Sequence, residues 1–501
     1  MSPDCGTTRA SALLFSLAFV LSAASLFAAA ASATPPNVIV LLTDDQGWGD
    51  LTCYNPESKI VTPNMDRLAT QGIRLLNAYT PSSVCSPTRY GLLTGRYPWR
   101  TWYKEGVLYH YDPSLIRPGR LTLGSLLQQQ GYVTAAVGKW HLGLDWPPQP
   151  GDPGDWSHGQ QIRFADQNKI AERVDFTKPI KVGPNQLGFD EFFGSAHMGI
   201  DDVVIHNSRR IPGFRTLPNN HDDIFVDRAI RFITDHRERH PAVPFFLYLA
   251  LGSPHHGRNV PDRLRGKSGD GIRGDRILWA DESVGRIAAL LDELEIADQT
   301  LVIFTSDNGP ADNTTFPGGN RAHHPQGPWR GFKTDAWDGG YRVPLIVRWP
   351  GRIAAGTTAD HLVCLTDVLA TLNEVVGGRM PRWAGEDSFS MLSAWLGGKQ
   401  PTRDHVVLSS YTGVLSIRDE RWKLILGTEG SGGRQGTTPG WLPNQTGWDR
   451  IKTIGIGQLY DLQNDPYERS DLFKQHPEIV ARLRERLERI VLEDRSRPLG
   501  E

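Results

Sequence analysis

The sequence predicts an α/β fold in which helices sandwich a large, mostly parallel central sheet, followed by a smaller C-terminal α+β region that carries a short antiparallel sheet. Three observations support this fold class. Apolar, β-branched runs alternate with helical patterns along most of the chain, which is typical of a parallel sheet covered on both faces. Near residue 385 the pattern changes to short strand-like runs. The 501 residues, 39% of them hydrophobic, are enough for a sizeable core.

The first 33 residues are interpreted as a signal peptide. Arg9 precedes an almost wholly apolar or small-residue run over 11–30, and an A-x-A cleavage pattern ends at Ala33. A membrane anchor is the alternative, because the run is long enough to span a bilayer. The Ala/Ser-rich composition and the cleavage pattern favour removal. We therefore expect a secreted or periplasmic protein with no stable membrane association after cleavage.

Residues 34–385 are predicted to form the larger α/β domain. Its strands are expected in five apolar runs: Asn37–Thr43, Val133–Val137, Pro244–Leu251, Thr300–Thr305 and Pro344–Trp349. Asp222–His236 and Arg276–Leu294 are expected to be covering helices, because their apolar residues recur at helical spacing. Residues 145–220 are rich in Pro, Gly and Asp and are interpreted as a long surface excursion.

Residues 386–501 are predicted to form the smaller α+β subdomain. Its strand-like runs are His405–Ser409, Val414–Arg418 and Trp422–Leu426. A helix is expected to begin at Pro477, because proline suits the first helical position. A Gly/Thr/Pro/Trp-rich stretch at 427–450 is interpreted as a loop.

The charge balance excludes one class of partner. Lys+Arg number 54 and Asp+Glu 56, so the formal net charge is -2. No basic stripe is present that could hold nucleic acid, and any anion site must therefore be local.

Four of the predicted strands lead into polar clusters, which are Asp44-Asp45, Lys139 with His141, His255-His256 and Asp307-Asn308. Ligands of open α/β sheets bind beyond the carboxyl ends of the strands, so these side chains are expected at one edge. Asp44, Asp45, Asp307 and Asn308 offer hard oxygen donors, which suit Ca²⁺ or Mg²⁺ better than zinc. Asp and Asn at strand ends also simply make turns. Two such pairs, each after an apolar strand, favour a metal site.

Cys85 heads a short predicted helix. Pro87 fits a first helical position and Gly95 fits a C-terminal cap. A helix N-terminus offers free N–H groups to an oxyanion, and Arg89, one turn along, adds a fork-shaped donor. An inert buried cysteine is the alternative. Once Cys5 leaves with the signal peptide, Cys53 and Cys364 either form a bridge or are plain buried residues, and Cys85 is the odd thiol.

Two long motifs resemble those of the formylglycine-dependent sulfatases of the alkaline phosphatase superfamily. Ser83–Gly95 matches the C-x-P-x-R signature throughout, and Gly131–His141 matches the second signature. The resemblance covers nearly the whole mature chain, through Asn37–Gln46, Leu187–Gly194, Ser306–Pro310, Gly331–Gly340, Pro344–Gly351 and Gln458–Leu472.

The resemblance implies hydrolysis of aryl or carbohydrate sulfate esters. Cys85 would be oxidised to formylglycine by a formylglycine-generating maturation enzyme. Its hydrated aldehyde, a geminal diol, would attack sulfur and give a covalent sulfated enzyme, and the second hydroxyl would then expel sulfate. A serine in this place could be sulfated but has no second hydroxyl with which to release the product.

The resemblance also implies roles for individual residues. Residue 85 with Asp44, Asp45, Asp307 and Asn308 would hold the metal, usually Ca²⁺, with Mg²⁺ as the alternative. The remaining site residues are Arg89 and Lys139 beside the formylglycine, His141 as the base toward the second hydroxyl, and His255 with Lys333 at the sulfate. His255 is also expected to protonate the leaving oxygen.

Three alternatives to a sulfatase are considered. A phosphonate monoester or phosphodiester hydrolase of the same superfamily shares the nucleophile motif, although Lys139, His141 and Lys333 together favour sulfate. A catalytically silent sulfated-glycan binder would keep Cys85 as a thiol. An unmodified cysteine phosphatase is disfavoured, because the spacing from Cys85 to Arg89 is too short for its phosphate loop.

The sequence leaves the substrate class open. Aromatic residues follow the nucleophile segment and either line a cleft for a sugar or an aryl group or belong to the core: Trp99, Trp102, Tyr103, Tyr109 and Tyr111.

Overall fold

A computed structural model describes residues 35–156, 162, 164–197, 203–213, 220–255, 257, 259–320, 322–427 and 457–498. The predicted signal peptide and nearly all of the 427–450 loop lie outside the described residues, as does His256. Contacts group the chain from Asn37 onward into one compact unit. No helix in the described part of the chain is long and apolar enough to cross a membrane.

Sixteen strands occur in the described residues: β1 (Asn37–Asp44), β2 (Ile73–Leu75), β3 (Ala78–Tyr79), β4 (Val133–Lys139), β5 (Glu191–Ser195), β6 (Val204–His206), β7 (Arg209–Arg210), β8 (Phe245–Pro254), β9 (Thr300–Ser306), β10 (Leu345–Arg348), β11 (Thr357–Ala359), β12 (Val363–Cys364), β13 (His405–Ser409), β14 (Leu415–Asp419), β15 (Trp422–Ile425) and β16 (Gln458–Asp461). The same residues contain nine α-helices: α1 (Pro63–Thr70), α2 (Cys85–Thr94), α3 (Leu123–Gln129), α4 (Gln167–Ala171), α5 (His221–Arg239), α6 (Gly271–Glu293), α7 (Asp367–Val375), α8 (Leu392–Trp395) and α9 (Pro477–Leu492).

Ten of the strands form one sheet in the order β11-β2-β10-β9-β1-β8-β4-β5-β6-β7. Its central neighbours β9, β1, β8, β4 and β5 are all parallel, and antiparallel pairs occur only towards the edges. A separate four-stranded antiparallel sheet contains β13–β16. The predicted fold class is therefore confirmed.

The large sheet is buried on both faces, because successive residues of a strand point to opposite sides. On β1, Val38 and Val40 pack in a core that also contains Leu92 of α2 and Leu369 of α7. Ile39 and Leu41, on the other face of β1, share a second core with the helices α1, α5 and α6. This double burial explains why the central strands are continuous apolar runs.

The small sheet has its own apolar layer. Leu483 and Leu487 of α9 pack with Val407 and Leu424 of the sheet. The predicted strand His405–Ser409 is reproduced residue for residue, and α9 begins at Pro477 as predicted. The domain boundary after residue 385 stays a prediction.

The structure differs from the sequence prediction in residues 145–220. The prediction is a surface excursion, yet these residues contain β5, which pairs in parallel with β4. Phe192 of β5 is only 1% exposed. A strand of five residues is too short for its periodicity to stand out in a Pro/Gly-rich stretch.

A buried ionic network connects the small sheet to the segment that follows β9. Lys423 Nζ of β15 lies 2.8 Å from Asp338 Oδ1 and 2.7 Å from Glu468 Oε1. Arg342 Nε donates to Asp338 Oδ2 at 2.8 Å. Asp338 and Lys423 are both fully buried, so their ion pair ties the two regions together in the interior.

Gly138 supports the close pairing of β4 with β8, and its replacement by alanine should destabilise the protein strongly. Its φ is +108°, and an added β-carbon would overlap the carbonyl oxygen of Ala250. Gly131 is the matched control, because its φ is +84° and the space around it is open. We expect Gly131→Ala to cost about 1–2 kcal/mol and Gly138→Ala at least about 3 kcal/mol. Chemical denaturation measures both, and equal losses would contradict the role assigned to the close approach.

Candidate active site

The order of the central strands brings the polar strand ends together. Strands β9, β1, β8 and β4 are successive neighbours. They lead, in this order, into Asp307-Asn308, Asp44-Asp45, His255 and Lys139 with His141. β4 and β8 both run beyond the predicted ends, to Lys139 and Pro254. One edge of the sheet therefore presents acids, amides and bases from four separate segments.

The acids at this edge form a cluster that could hold a cation. Ligand atoms of Asp44, Asp45 and His255 lie within 4.8 Å of one another, and so do those of Asp44, Cys85 and Asp307. Asn308 Nδ2 donates to Asp45 Oδ1 at 2.7 Å. Two further oxygen atoms of the cluster, Asp44 Oδ1 and Asn308 Oδ1, are buried and have no hydrogen-bond partner among the described residues. Such orphaned hard oxygens are what a Ca²⁺ or Mg²⁺ ion would satisfy, so the residues fit a divalent cation.

Three cationic side chains offset the three buried carboxylates. Lys139 Nζ lies 2.5 Å from Asp44 Oδ2, and Lys333 Nζ lies 2.5 Å from Asp45 Oδ1. Arg89 donates from Nε and Nη2 to Asp307 Oδ2, at 2.9 and 2.7 Å.

The carboxyl groups differ in how readily they ionise. Burial raises the pKa of Asp307 to about 6, and the neighbouring Asp44 adds to the increase. Burial also opposes ionisation of Asp44, but the electrostatic effect of His255 and of the cations Lys139, Arg89 and Lys333 outweighs it and holds the pKa of Asp44 far below its usual range. Asp44 is therefore ionised, whereas Asp307 needs positive charge nearby to stay ionised.

Cys85 lies at the N-terminus of α2, as predicted, and is 2% exposed. The helix ends at Gly95, whose φ of 62° lies in the left-handed region. Burial raises the pKa of the Cys85 thiol, which therefore stays protonated at neutral pH. A neutral thiol is a poor nucleophile, and this agrees with the case against an unmodified cysteine phosphatase. Arg89 also donates from Nη1 to the carbonyl oxygen of Lys139 at 2.9 Å, which ties α2 to the end of β4.

His141 presents one free ring nitrogen. Its Nε2 lies 2.7 Å from the carbonyl oxygen of Leu108, so Nε2 must donate and carry the proton. Its Nδ1 is buried and lacks a hydrogen-bond partner in the described residues. Burial lowers the pKa of His141 well below its usual value. The neutral ring therefore has an available lone pair at Nδ1, as a general base requires.

His255 and Lys333 complete the predicted set. His255 Nε2 lies 3.8 Å from Asp45 Oδ2, and burial lowers the pKa of His255 to about 3. The main-chain N–H of Lys333 donates to the carbonyl oxygen of Pro310 at 2.8 Å, which fixes its loop against the segment after β9. All the predicted site residues thus lie at one edge of the sheet, and their catalytic roles stay predictions.

A histidine beside this cluster was missed by the sequence analysis. His197 follows β5, and its ring lies 4.4 Å from the ring of His141 and 4.9 Å from that of His110, measured between centroids. The sequence signal nearest to it is the family-like segment Leu187–Gly194, which lies within the predicted surface excursion.

A buried acid behind Asp45 was also missed. Asp50 receives Nη1 and Nη2 of Arg273 at 2.8 and 2.6 Å, and His323 Nε2 lies 2.8 Å from its Oδ1. Arg273 Nη2 also donates to the carbonyl oxygen of Asp45 at 3.3 Å. Since Asp45 has a φ of 66°, this ion pair supports an uncommon main-chain conformation at the site. Only the proximity of Asp50 to Asp45 in the sequence could have indicated it.

The aromatic residues after Cys85 divide into two groups, and the remaining cysteines are unpaired. Trp99, Tyr103 and Tyr111 are buried, whereas Trp102 and Tyr109 are half-buried. Cys53 and Cys364 are free thiols and form no bridge.

The fold is that of the alkaline phosphatase superfamily. The family model described as Sulfatase matches residues 36–378, so the chain belongs to the sulfatase family and is a sulfuric ester hydrolase.

Similar proteins extend over most of the chain. It is 34% identical over 494 residues to N-acetylgalactosamine-6-O-sulfatase of Bacteroides thetaiotaomicron. That alignment covers 91% of this chain and 93% of the relative. It is 31% identical over 460 residues to human arylsulfatase A, with 89% and 85% covered. A solved structure from work on glycosaminoglycan metabolism by Bacteroides thetaiotaomicron superposes with a TM-score of 0.76 at 30% identity, covering 92% of this chain and 100% of that one.

Proposed function

We propose that the protein hydrolyses carbohydrate sulfate esters through a formylglycine derived from Cys85 and a bound divalent metal, by way of a covalent sulfated enzyme. The observation that carries the proposal is the placement of Cys85, at a helix N-terminus, within ligand distance of Asp44 and Asp307. The similarity to an N-acetylgalactosamine-6-O-sulfatase favours a sulfated sugar over an aryl sulfate.

The metal would be held by Asp44, Asp45, Asp307, Asn308 and the modified residue 85. Ca²⁺ is the proposed ion, with Mg²⁺ as the alternative, because all four side chains other than residue 85 offer hard oxygens. When bound, the metal supplies positive charge that activates a coordinated hydroxyl and offsets the charge of the sulfate.

Proton transfer is assigned to the two histidines. Nδ1 of His141, the buried nitrogen without a partner among the described residues, accepts the proton from the hydroxyl that expels sulfate. His255 protonates the leaving oxygen. Burial lowers its pKa in the free site, and the negative charge of a bound ester would favour its protonated form.

The cations hold the reacting groups in place. Lys139 and Arg89 are already paired with Asp44 and Asp307, so they keep those carboxylates ionised and oriented. Lys333 is 16% exposed, and its ammonium group is placed to contact the sulfate as well as Asp45.

Maturation and location follow from the same proposal. A formylglycine-generating enzyme oxidises Cys85 before the chain closes around it, since the folded residue is almost fully buried. Residues 1–33 direct the chain to export, and the mature enzyme acts in the periplasm or outside the cell.

Sulfate release tests the proposal directly. The protein is co-expressed with a maturation enzyme, and peptide mass verifies the aldehyde at residue 85. We expect sulfate release from N-acetylgalactosamine 6-sulfate and, more slowly, from 4-nitrophenyl sulfate, and none from Cys85→Ala. If verified aldehyde-bearing protein releases no sulfate but cleaves a phosphonate monoester, the proposal is wrong.

A further inference from the structure

We propose that Tyr109 and Phe164 form a sugar-binding wall of the substrate cleft, with Tyr109 against the sulfated pyranose and Phe164 against the neighbouring one. The proposal rests on the proposed function and extends it from the reaction centre to the glycan on which the sulfate is carried. We call this pair of rings the aromatic wall.

Phe164 is an exposed aromatic side chain. It is 59% exposed, and its ring centroid lies 5.3 Å from that of Tyr109 at an interplanar angle of 57°. Tyr109 is half-buried. Two adjacent aromatic rings that remain open to solvent present apolar faces, and such surfaces commonly mark binding sites.

One carboxylate binds the main chain at Tyr109 and close to Phe164. Asp112 Oδ2 accepts the main-chain N–H of Tyr109 at 2.6 Å, and Asp112 Oδ1 accepts that of Ile162 at 2.7 Å. Ile162 is two residues before Phe164, and Asp112 is fully buried. A single buried group therefore fixes both chain segments, so the aromatic wall is organised before any ligand arrives.

The aromatic wall is continuous with the reaction centre. The ring of Tyr109 lies 5.9 Å from that of His197, and His197 in turn packs nearly perpendicular to His141, with 4.4 Å between centroids. Burial raises the pKa of the Tyr109 phenol, and the nearby Tyr411, Asp112 and Cys85 add to the increase.

The chemistry of the two rings matches a pyranose chain. One face of a pyranose is lined by C–H groups and packs on an aromatic ring, while its edges carry hydroxyls. Tyr109, nearer to His141, offers both a ring and a phenolic O–H that can bond a sugar hydroxyl. Phe164 lies one ring further out and offers apolar contact alone. This order places the sulfated sugar at Tyr109 and the next sugar at Phe164.

Three substrates separate the two positions. They are 4-nitrophenyl sulfate, N-acetylgalactosamine 6-sulfate, and a disaccharide that ends in N-acetylgalactosamine 6-sulfate. We expect Phe164→Ala to raise KM for the disaccharide by about three- to tenfold with kcat unchanged. The monosaccharide and 4-nitrophenyl sulfate should be unaffected. Tyr109→Ala should raise KM for both sugars, and Phe164→Trp should restore the disaccharide KM.

Trp383→Ala is the matched control, since Trp383 is a 57% exposed aromatic residue on another loop and should change no KM. Thermal melting checks that each variant is folded. If the wild type is active and Phe164→Ala keeps the wild-type disaccharide KM, or loses all three substrates equally, the aromatic wall is refuted while the proposed function stands. If the aldehyde-bearing wild type releases sulfate from none of the three, the proposed function itself fails.

Discussion

Replacing Cys85 by serine should turn sustained sulfate release into a single turnover. Serine at the N-terminus of α2 keeps a hydroxyl next to Asp44 and Asp307, so it can still attack sulfur and release the alcohol. It lacks the second hydroxyl that expels sulfate, so the variant should stop after one reaction with the sulfuryl group esterified to the introduced serine. The steady-state rate should fall by about 10⁴-fold or more, because the sulfated serine is not regenerated for a second turnover.

The measurement is a burst of 4-nitrophenol that equals the amount of enzyme, followed by peptide mass analysis of residue 85. Mass spectrometry should show one sulfuryl group retained on that peptide. Cys53→Ser is the matched control, because Cys53 is also a free thiol but lies outside the site, and it should keep full turnover. Continued turnover by Cys85→Ser would rule out a mechanism that needs a second hydroxyl.

Asp307→Asn should remove both the metal and the activity. Oδ2 of Asp307 receives two N–H groups of Arg89, and Oδ1 receives the main-chain N–H of Asp45 at 3.2 Å. An amide leaves the Arg89 guanidinium buried without this counter-charge, which costs about 3–5 kcal/mol. It also removes one negative charge from the metal site. We expect Ca²⁺ binding to weaken by about 10²–10³-fold.

Calorimetric titration of chelator-treated protein with Ca²⁺ measures this loss, and sulfate release should fall in parallel. Asp298→Asn is the control, because Asp298 is exposed just before the same strand, β9. An unchanged Ca²⁺ affinity in Asp307→Asn would mean that Asp307 serves Arg89 and not a metal.

The sequence predicted that the polar residues at the strand ends lie together at one edge of the sheet, and the structure places them there. Asp44-Asp45 and Asp307-Asn308 follow long apolar runs, and parallel neighbours in a sheet must end at the same edge. His197 and Asp50 carry no such signal. His197 follows a five-residue strand hidden in a Pro/Gly-rich stretch, and Asp50 becomes significant only when Arg273, far away in the sequence, packs against it.

The exposure of the aromatic residues and the pairing of the cysteines could not be predicted from the sequence for a related reason. Trp99 and Tyr109 are both aromatic residues soon after Cys85, yet one is buried and the other is partly open to solvent. Whether such a ring is buried depends on the residues, distant in the sequence, that pack against it in the fold, as Phe164 does against Tyr109. Cys53 and Cys364 likewise could be judged as partners only from their positions in the fold, where both are free.

The network of Lys423, Asp338 and Glu468 limits how this enzyme can diverge. A hybrid that inherited its C-terminal region from a relative with an apolar residue at position 423 would leave the buried Asp338 with Arg342 but without the ammonium group of Lys423. Changes at Asp338 and Lys423 are therefore coupled, and recombination between the two regions should favour parents that match at both positions.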